Sequence, residues 1–220
     1  MSEDRAPSLR LYRAAASGAR VTFVLAHGAG AGHDSAFLVT FASALSSRGI
    51  DVCTFNFPYI DRGRRLPDSR DVLETCLRAA VSSALSLDAL RGNRLVIGGK
   101  SMGGRMASYL AADAAFVEAL DLRGLVCLGY PLHPPGKPQQ LRASHLRDLR
   151  VPTLIVQGTR DTFGAPDDLR PHLDGASVPV TVHEVAGGDH SFSVRKRDGG
   201  DPARTMADVE DTVVRWMTAR

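Results

Sequence analysis

The chain has 220 residues, 44% of them hydrophobic, and a formal net charge of +3 at pH 7. This size and composition are typical of one soluble globular domain, and no basic helix or aromatic-interleaved basic patch indicates binding to nucleic acid. The first residues are acidic with no apolar core after them, and no segment has the length of a membrane span. We therefore expect neither a signal peptide nor a membrane partner.

Strands and helices alternate along the chain, which predicts an α/β fold with right-handed crossovers, a mostly parallel central sheet and helices on both faces. The predicted strands span Val21–Ala26, 52–57, 95–97, 125–128, 151–156 and Val180–Val185. The predicted helices span 34–48, 68–87, 102–120, Pro166–Leu173 and 202–219, with loops at 58–67 and 131–138. We expect residues 1–8 to be disordered and residues 9–220 to form a single domain with no lid domain.

The three cysteines, Cys53, Cys76 and Cys127, lie in apolar runs. An odd number of cysteines without tight spacing offers neither a metal site nor a disulfide framework. We interpret them as small buried residues in a reducing compartment, which favours a cytoplasmic location. We predict no metal and no cofactor, and the sequence does not indicate an oligomeric state.

The stretch Gly99-Lys100-Ser101-Met102-Gly103 carries the strongest functional signal. The apolar run 95–97 precedes it, and residues 102–120 follow with the apolar spacing of a helix. A serine on such a strand-to-helix turn has a strained backbone, and the glycines let the flanking backbones pass closely. The Gly-x-Ser-x-Gly pattern in this context predicts Ser101 as a nucleophile, with a plain glycine-rich turn as the simpler alternative.

Two nucleotide-binding interpretations compete with this one. A phosphate-binding P-loop that ends at Gly99-Lys100-Ser101 requires glycine at position 94, where the chain has arginine. A dinucleotide fingerprint that starts at Gly28 requires glycine at position 33, where the chain has histidine. The P-loop is excluded, and the dinucleotide site is a poor match.

Reactive side chains follow several predicted strands, at the sheet edge where ligands bind in α/β folds. Ser101, Asp161 and His190 occur in the chain order of α/β-hydrolase triads. A serine hydroxyl needs a base within hydrogen-bond reach, and a carboxylate must orient that base. We predict His190 as the base and Asp161 as its acid. Rival acids are Asp167, Asp168 and Asp189, and the rival histidines are His133, His145, His172 and His183.

An oxyanion formed in acyl transfer needs hydrogen-bond donors already in place. We predict the backbone N–H groups of Met102 and of Ala29, in the His27-Gly28-Ala29 loop, as these donors. A flexible glycine turn is the alternative interpretation of that loop. Positively charged residues in 61–65, at Lys137 and in 195–197 lie on loops expected at the same edge. They could attract anionic substrates, although solvated loop charges are the simpler interpretation.

The sequence also resembles a small, lidless family of predicted α/β-hydrolases related to the dienelactone-hydrolase group. Eukaryotic relatives of that family include a subunit of a chromatin-modifying acetyltransferase complex. The resemblance spans nearly the whole chain and is carried by His27-Gly-Ala-Gly, Phe55-Asn56-Phe57-Pro58-Tyr59, Gly63-Arg64-Arg65, Pro67-Asp68, Gly98-Gly99-Lys100-Ser101-Met102-Gly103-Gly104-Arg105 and Gly188-Asp189-His190. It implies an α/β-hydrolase fold and the roles above for Ser101, Asp161 and His190. Dienelactone hydrolases proper have a cysteine where this chain has Ser101, which argues against dienelactone as substrate.

The sequence thus favours a serine hydrolase that cleaves small carboxylic esters or thioesters through an acyl-enzyme. The alternative is a non-catalytic binding or scaffold protein that keeps the hydrolase fold, because a fold does not by itself confer activity.

Overall fold

A computed structural model describes residues 7–15, 21–195 and 199–219. In this part of the chain, seven strands form one sheet in the order β1-β3-β2-β4-β5-β6-β7. The strands are β1 (Leu9–Tyr12), β2 (Val21–Ala26), β3 (Asp51–Phe55), β4 (Arg94–Lys100), β5 (Leu122–Leu128), β6 (Thr153–Gly158) and β7 (Val180–Val185). Strands β2 to β7 are parallel, and β1 pairs antiparallel with β3 at one edge.

Helices cover both faces of this sheet. They are α1 (Ala36–Ser47), α2 (Pro58–Asp61), α3 (Arg70–Leu85), α4 (Met102–Ala112), α5 (Ala114–Leu120), α6 (Pro166–Leu173) and α7 (Pro202–Thr218). Two short 3₁₀ helices lie at Asp88–Leu90 and Leu146–Asp148. None of the described helices combines the length and apolar character that a membrane span requires.

Two apolar cores form because successive strand side chains point to opposite faces. Along β2, Val24 packs with α3 and α4 on one face, whereas Phe23 and Leu25 pack with α1 and α7 on the other. Both faces of β2, β3 and β6 are buried, as the continuous apolar runs in the sequence indicate. The predicted fold class, a mostly parallel sheet with helices on both faces, is confirmed.

Three elements differ from the prediction. β1 was not predicted, because it is a four-residue edge strand that is only partly buried. Residues 58–61, predicted as loop, form the single turn α2. The predicted helix 102–120 is broken at Asp113, which has an extended backbone and caps α5 by accepting a hydrogen bond from the Phe116 N–H (3.2 Å). Of the predicted disordered segment 1–8, residues 1–6 lie outside the described residues, and the single domain stays a prediction.

The parallel topology places the carboxyl ends of β2, β4, β6 and β7 at one edge of the sheet. Loops that begin there carry the residues 27–30, 101, 161 and 190. Residues distant in sequence therefore meet at this edge.

Candidate active site

Ser101 lies between the last residue of β4 and the first residue of α4. Its backbone has φ 50° and ψ −115°, a strained combination for a residue with a Cβ. Its N–H donates to the Leu128 carbonyl of β5 at 2.9 Å, which fixes the turn to the sheet. A Cβ on Gly103 would lie 2.5 Å from the Ala26 carbonyl oxygen, so only glycine allows α4 to approach β2 this closely. The sharp strand-to-helix turn is as the sequence predicts.

Ser101, His190 and Asp161 form one hydrogen-bonded chain. Nε2 of His190 lies 2.8 Å from Ser101 Oγ, and Nδ1 lies 2.7 Å from Asp161 Oδ2. Because a carboxylate accepts hydrogen bonds, Nδ1 carries the ring proton and its N–H group donates a hydrogen bond to Asp161. In the neutral ring Nε2 is then free to accept the Ser101 hydroxyl proton. The structure thus brings together the three residues that the sequence selected.

The Asp161 side chain has no exposed surface, and both of its oxygens are occupied. Besides His190, Oδ2 accepts from Gln157 Nε2 (2.9 Å), and Oδ1 accepts from the Phe163 N–H (2.8 Å). The Phe163 ring also stacks on the His190 ring, with centroids 4.2 Å apart. Sequence reasoning missed Gln157 and Phe163, since a glutamine inside a strand and a phenylalanine in a loop give no local signal of such a role.

The rival acids have other partners. Asp168 accepts from the Ala165 N–H at the start of α6, and Asp167 lies beside Arg170 on the same helix. Asp189 accepts from the N–H groups of Ser191 and Ser193 and so shapes the turn that carries His190. In the described part of the chain, Asp161 is the carboxylate that reaches the His190 ring.

A second serine–histidine pair, Ser108 and His145, lies about two helical turns along α4 from Ser101. The Ser108 hydroxyl donates to the Arg105 carbonyl (2.7 Å), so Nε2 of His145, 2.8 Å away, acts as a donor to this serine. Within the described structure, Nδ1 of His145 is buried without a hydrogen-bond partner, and no carboxylate orients the ring. Burial, followed by the charge of Arg105, lowers the pKa of His145 to about 4. This pair is part of the packing between α4 and the β5–β6 connection.

His27 anchors the loop that follows β2. It is fully buried, its Nδ1 lies 2.8 Å from the Gly28 carbonyl, and its Nε2 accepts from the Phe57 N–H at 3.0 Å. Burial lowers the pKa of His27 to about 4, so the ring is neutral and can fill both roles at pH 7. The Gly30 N–H of the same loop donates to the Tyr59 hydroxyl (3.3 Å). The loop is therefore held by side chains from the segment after β3.

Two backbone N–H groups beside Ser101 have no acceptor among the described residues. They belong to Ala29, in the loop after β2, and to Met102, the first residue of α4. Both residues line the same cleft as Ser101. The first N–H groups of a helix have no partner within the helix and are free to bind a ligand atom.

Lys100 fixes the histidine loop to the end of β4. Its Nζ donates to the backbone carbonyl of His190 at 2.7 Å and lies 5.5 Å from the centre of the Phe192 ring. Burial lowers the pKa of Lys100 to about 8, against smaller opposing effects of Asp161 and Asp189. The partner of the Lys100 ammonium is therefore a loop carbonyl.

A cleft of about 590 Å³ opens over Ser101 and His190. Its walls include the expected loop residues Pro67 and Pro131, and also Phe37 and Leu38 near the start of α1. The cations that line it are Arg70, Lys100, Arg105 and Arg142. The cationic loops anticipated from the sequence, 61–65 and Lys137, do not line the cleft, and Lys196 and Arg197 lie outside the described residues.

The sequence matches the family model described as an alpha/beta hydrolase domain over residues 19–218. The chain belongs to this family. The resemblance of the sequence to small, lidless α/β hydrolases is thereby confirmed.

Solved structures of other α/β hydrolases have the same fold. An alpha-beta serine hydrolase homologue from Coxiella burnetii is 20% identical, with a TM-score of 0.72, 94% of this chain and 89% of that chain covered. A lidless a/b serine hydrolase from Xanthomonas campestris is 19% identical, with a TM-score of 0.69 and coverages of 96% and 88%. Dienelactone hydrolase from Anabaena variabilis is 19% identical, with a TM-score of 0.71 and coverages of 94% and 89%. At these identities, the likeness shows the fold alone.

Proposed function

We propose that this α/β hydrolase cleaves small carboxylic esters or thioesters through an acyl-enzyme. The observation that carries the proposal is the hydrogen-bonded chain from Ser101 through His190 to Asp161, which opens into a cleft. A buried, ionised carboxylate that orients a neutral histidine toward a strained serine is the arrangement that activates a hydroxyl nucleophile.

In the acylation step, Nε2 of His190 takes the hydroxyl proton as Ser101 Oγ attacks the substrate carbonyl carbon. The C–O or C–S bond to the leaving group then breaks, and the proton on Nε2 passes to the departing oxygen or sulfur. Asp161 keeps its negative charge throughout and stabilises the imidazolium that forms between the two transfers. The products of this step are an alcohol or thiol and the acylated serine.

In the deacylation step, a water molecule occupies the position of the leaving group. His190 takes one of its protons while the oxygen attacks the acyl carbon. The bond to Ser101 Oγ breaks, and the same proton returns to the serine. The carboxylic acid is released and the site is restored.

The Ala29 and Met102 N–H groups serve as the oxyanion hole in this mechanism. Neither N–H group has an acceptor among the described residues, and both residues line the cleft; these two observations support this role. The His27 and Tyr59 contacts hold the Ala29 loop before substrate binds, and donors fixed in advance stabilise developing charge without reorganisation.

Covalent labelling with a fluorophosphonate, measured by intact mass, tests the proposal. We expect one added group on the wild-type protein and none on Ser101→Ala. Ser108→Ala is the matched control, because it removes the serine of the other serine–histidine pair, and it should label as wild type does. A wild-type protein that stays unlabelled while a control esterase reacts would favour the alternative of a hydrolase-fold binding protein.

We further propose a cytoplasmic location. The three cysteines are buried and unpaired, as expected for thiols in a reducing compartment. Burial raises the pKa of the Cys53 and Cys76 thiols to about 12, so they stay protonated and unreactive.

A further inference from the structure

Two arginines of the cleft, Arg105 and Arg142, have no carboxylate partner among the described residues. The Nε atom of Arg105 is buried and makes no hydrogen bond within the described structure. A buried donor without an acceptor is costly, and more so when it carries charge. The cleft therefore holds positive charge and hydrogen-bond donors that no described residue satisfies.

The other arginines near the cleft differ, because they are paired. Arg70 lies 3.2 Å from Glu74, one helical turn along α3, and its guanidinium covers the Tyr109 ring. Asp68, a carboxylate in the cleft wall, accepts a hydrogen bond from Arg64. Among the described residues, these pairs leave Arg105 and Arg142 as the guanidinium groups of the cleft without a carboxylate partner.

Backbone hydrogen bonds fix both arginines in the wall of the cleft that contains Ser101. Arg105 follows Ser101 by four residues, and its N–H donates to the Ser101 carbonyl at 3.0 Å. Residues four apart share one face of a helix, at a rise of about 6 Å. The Arg142 N–H donates to the Leu132 carbonyl (2.8 Å), and its own carbonyl accepts from the Tyr130 hydroxyl (2.7 Å).

Arg105 and Arg142 line the same cleft, and their like charges interact unfavourably. Partial burial and then the charge of Arg105 lower the pKa of Arg142, against smaller opposing effects of Tyr109 and Tyr130. Two like charges that share a cleft wall repel each other. An anion between the two guanidinium groups offsets their repulsion and accepts hydrogen bonds from both.

We infer that Arg105 and Arg142 bind a carboxylate on the substrate, so that the preferred substrates are short esters or thioesters bearing a negative charge. This inference rests on the proposed function. The carboxylate would lie only a few bonds from the scissile carbonyl, because Arg105 is one helical turn from Ser101. A half-ester of a short dicarboxylic acid has this spacing, and a guanidinium binds a carboxylate through two parallel hydrogen bonds.

The kinetic test compares monomethyl glutarate with methyl 4-carbamoylbutanoate, its uncharged amide of the same shape. We expect wild-type kcat/KM to favour the charged ester by roughly ten- to a hundred-fold, the range for hydrogen bonds to a charged group. Arg105→Gln and Arg142→Gln should each remove most of this preference, because kcat/KM should fall more for the charged ester than for the amide. The loss should lie mainly in KM, because the contact exists before the transition state as well as in it.

The matched control is Arg123→Gln. It removes the same charge from the exposed start of β5, at the opposite edge of the sheet, where Arg123 pairs with Asp121. We expect it to keep the preference for the charged ester. Arg105→Lys keeps the charge without the planar fork and should retain part of the preference. The inference would be overturned if the wild-type protein had the same kcat/KM for both esters. It would also be overturned if the arginine variants lost kcat/KM equally for the two esters.

Failure of this inference is distinguishable from failure of the proposed function. If Ser101 labels and the neutral ester is cleaved without preference, only the anion subsite is wrong. If neither ester is cleaved, titration calorimetry of glutarate with Ser101→Ala tests the subsite without turnover. Binding that Arg105→Gln abolishes in that background would support the subsite, and no binding would overturn it.

Discussion

At the residue scale, the carboxylate of Asp161 is hard to replace because each of its oxygens already has a fixed donor. An asparagine there presents an amide that can turn its NH2 group toward His190 Nδ1. That contact stabilises the tautomer whose Nε2 carries the proton, and such a ring cannot accept the proton of Ser101. We expect Asp161→Asn to lower kcat by about three orders of magnitude or more in an ester-hydrolysis assay.

The matched control is Asp189→Asn, next to His190. Asp189 accepts two backbone N–H groups through Oδ1, and an asparagine oxygen can still do so. Its kcat should stay within a few-fold of wild type. Near-wild-type turnover in Asp161→Asn together with a collapse in Asp189→Asn would show that the acid was assigned wrongly.

Lys100 gives the stability of the fold a particular pH dependence. Its pKa is about 8 in the folded protein and 10.5 ordinarily, so below pH 8 the folded state bears the full cost of burying the charge. Between these values the unfolded chain binds a proton that the folded chain has released, and stability rises with pH. Relative to Lys100→Met, wild-type unfolding free energy should therefore rise across this window by about 1.4 kcal/mol per pH unit.

Urea unfolding of both proteins at pH 7, 8, 9 and 10 measures this difference. Comparing the two proteins at each pH removes the contribution of the tyrosines and cysteines that titrate in the same range. A difference that stays flat from pH 8 to pH 10 would contradict the assignment of a buried, charged amine at position 100.

Single residues show where sequence reasoning reaches its limit. The positions of Ser101 and His190 at one edge of the sheet were predictable, because each lies in a glycine-containing motif after a strand. Asp161 was one of four candidate acids, and only the hydrogen bonds of the folded chain separate it from Asp167, Asp168 and Asp189. Gln157 could not be found, because its three acceptors lie on segments up to 27 residues away.

At the scale of elements, the crossing of α4 over β2 depends on Gly103. A Cβ at this position would lie 2.5 Å from the Ala26 carbonyl oxygen and 2.7 Å from that of His27, and neither backbone can move freely. Alanine normally favours a helix over glycine by about 1 kcal/mol. Here we expect alanine to destabilise the protein instead. Overpacking should lower the unfolding free energy of Gly103→Ala by about 3 kcal/mol or more.

Gly28→Ala is the matched control in the same urea-unfolding experiment. Its Cβ would meet the Lys100 carbonyl at 3.5 Å and Ser101 Cβ at 3.6 Å, which are ordinary contact distances. We expect a change below about 1 kcal/mol. Equal stability of Gly103→Ala and wild type would show that α4 can shift away from β2.

The elements that the sequence failed to predict are those decided by tertiary contacts. The periodicity of 102–120 is helical on both sides of Asp113, and the break depends on an ion pair between Asp113 and Arg78 of α3 (2.6 Å). β1 has too few residues for a recognisable pattern and exists by pairing with β3. The long, buried strands were predicted because a continuous apolar run is itself the signal.

At the scale of the whole molecule, the open cleft limits the useful length of the substrate. The connection between β5 and β6, residues 129–152, contains turns and the 3₁₀ helix Leu146–Asp148, so no helical lid is inserted there. Each buried methylene contributes about 0.8 kcal/mol, and a methylene that remains in water contributes nothing. In a p-nitrophenyl ester series, we expect acetyl to butyryl esters to have higher kcat/KM than dodecanoyl or longer esters.

A kcat/KM that keeps rising to the longest chains would refute this expectation and indicate an enclosed acyl channel. Myristoyl and palmitoyl esters should be assayed below their critical micelle concentrations, because aggregation of these esters would otherwise distort their kcat/KM values. The neutral series tests chain length independently of the charged group discussed above.

The global arrangement was the most predictable level of the structure. Alternating strands and helices fixed the parallel sheet, its two covered faces and the edge where the site lies. The order of the strands was not predicted. It depends on which face of the sheet each helix covers, and that is decided by contacts between segments distant in sequence.

The wide separation of the site residues along the chain has a consequence for folding. Ser101 and His190 are 89 positions apart, and their hydrogen bond can form only after β5, β6 and β7 have joined the sheet. Contacts of such long range close large loops and are completed late in folding. On dilution from denaturant, the capacity to react with a fluorophosphonate should return with the slowest kinetic phase, after the helical signal has recovered. The rate at which labelling of Ser101 recovers would therefore measure the last stage of folding.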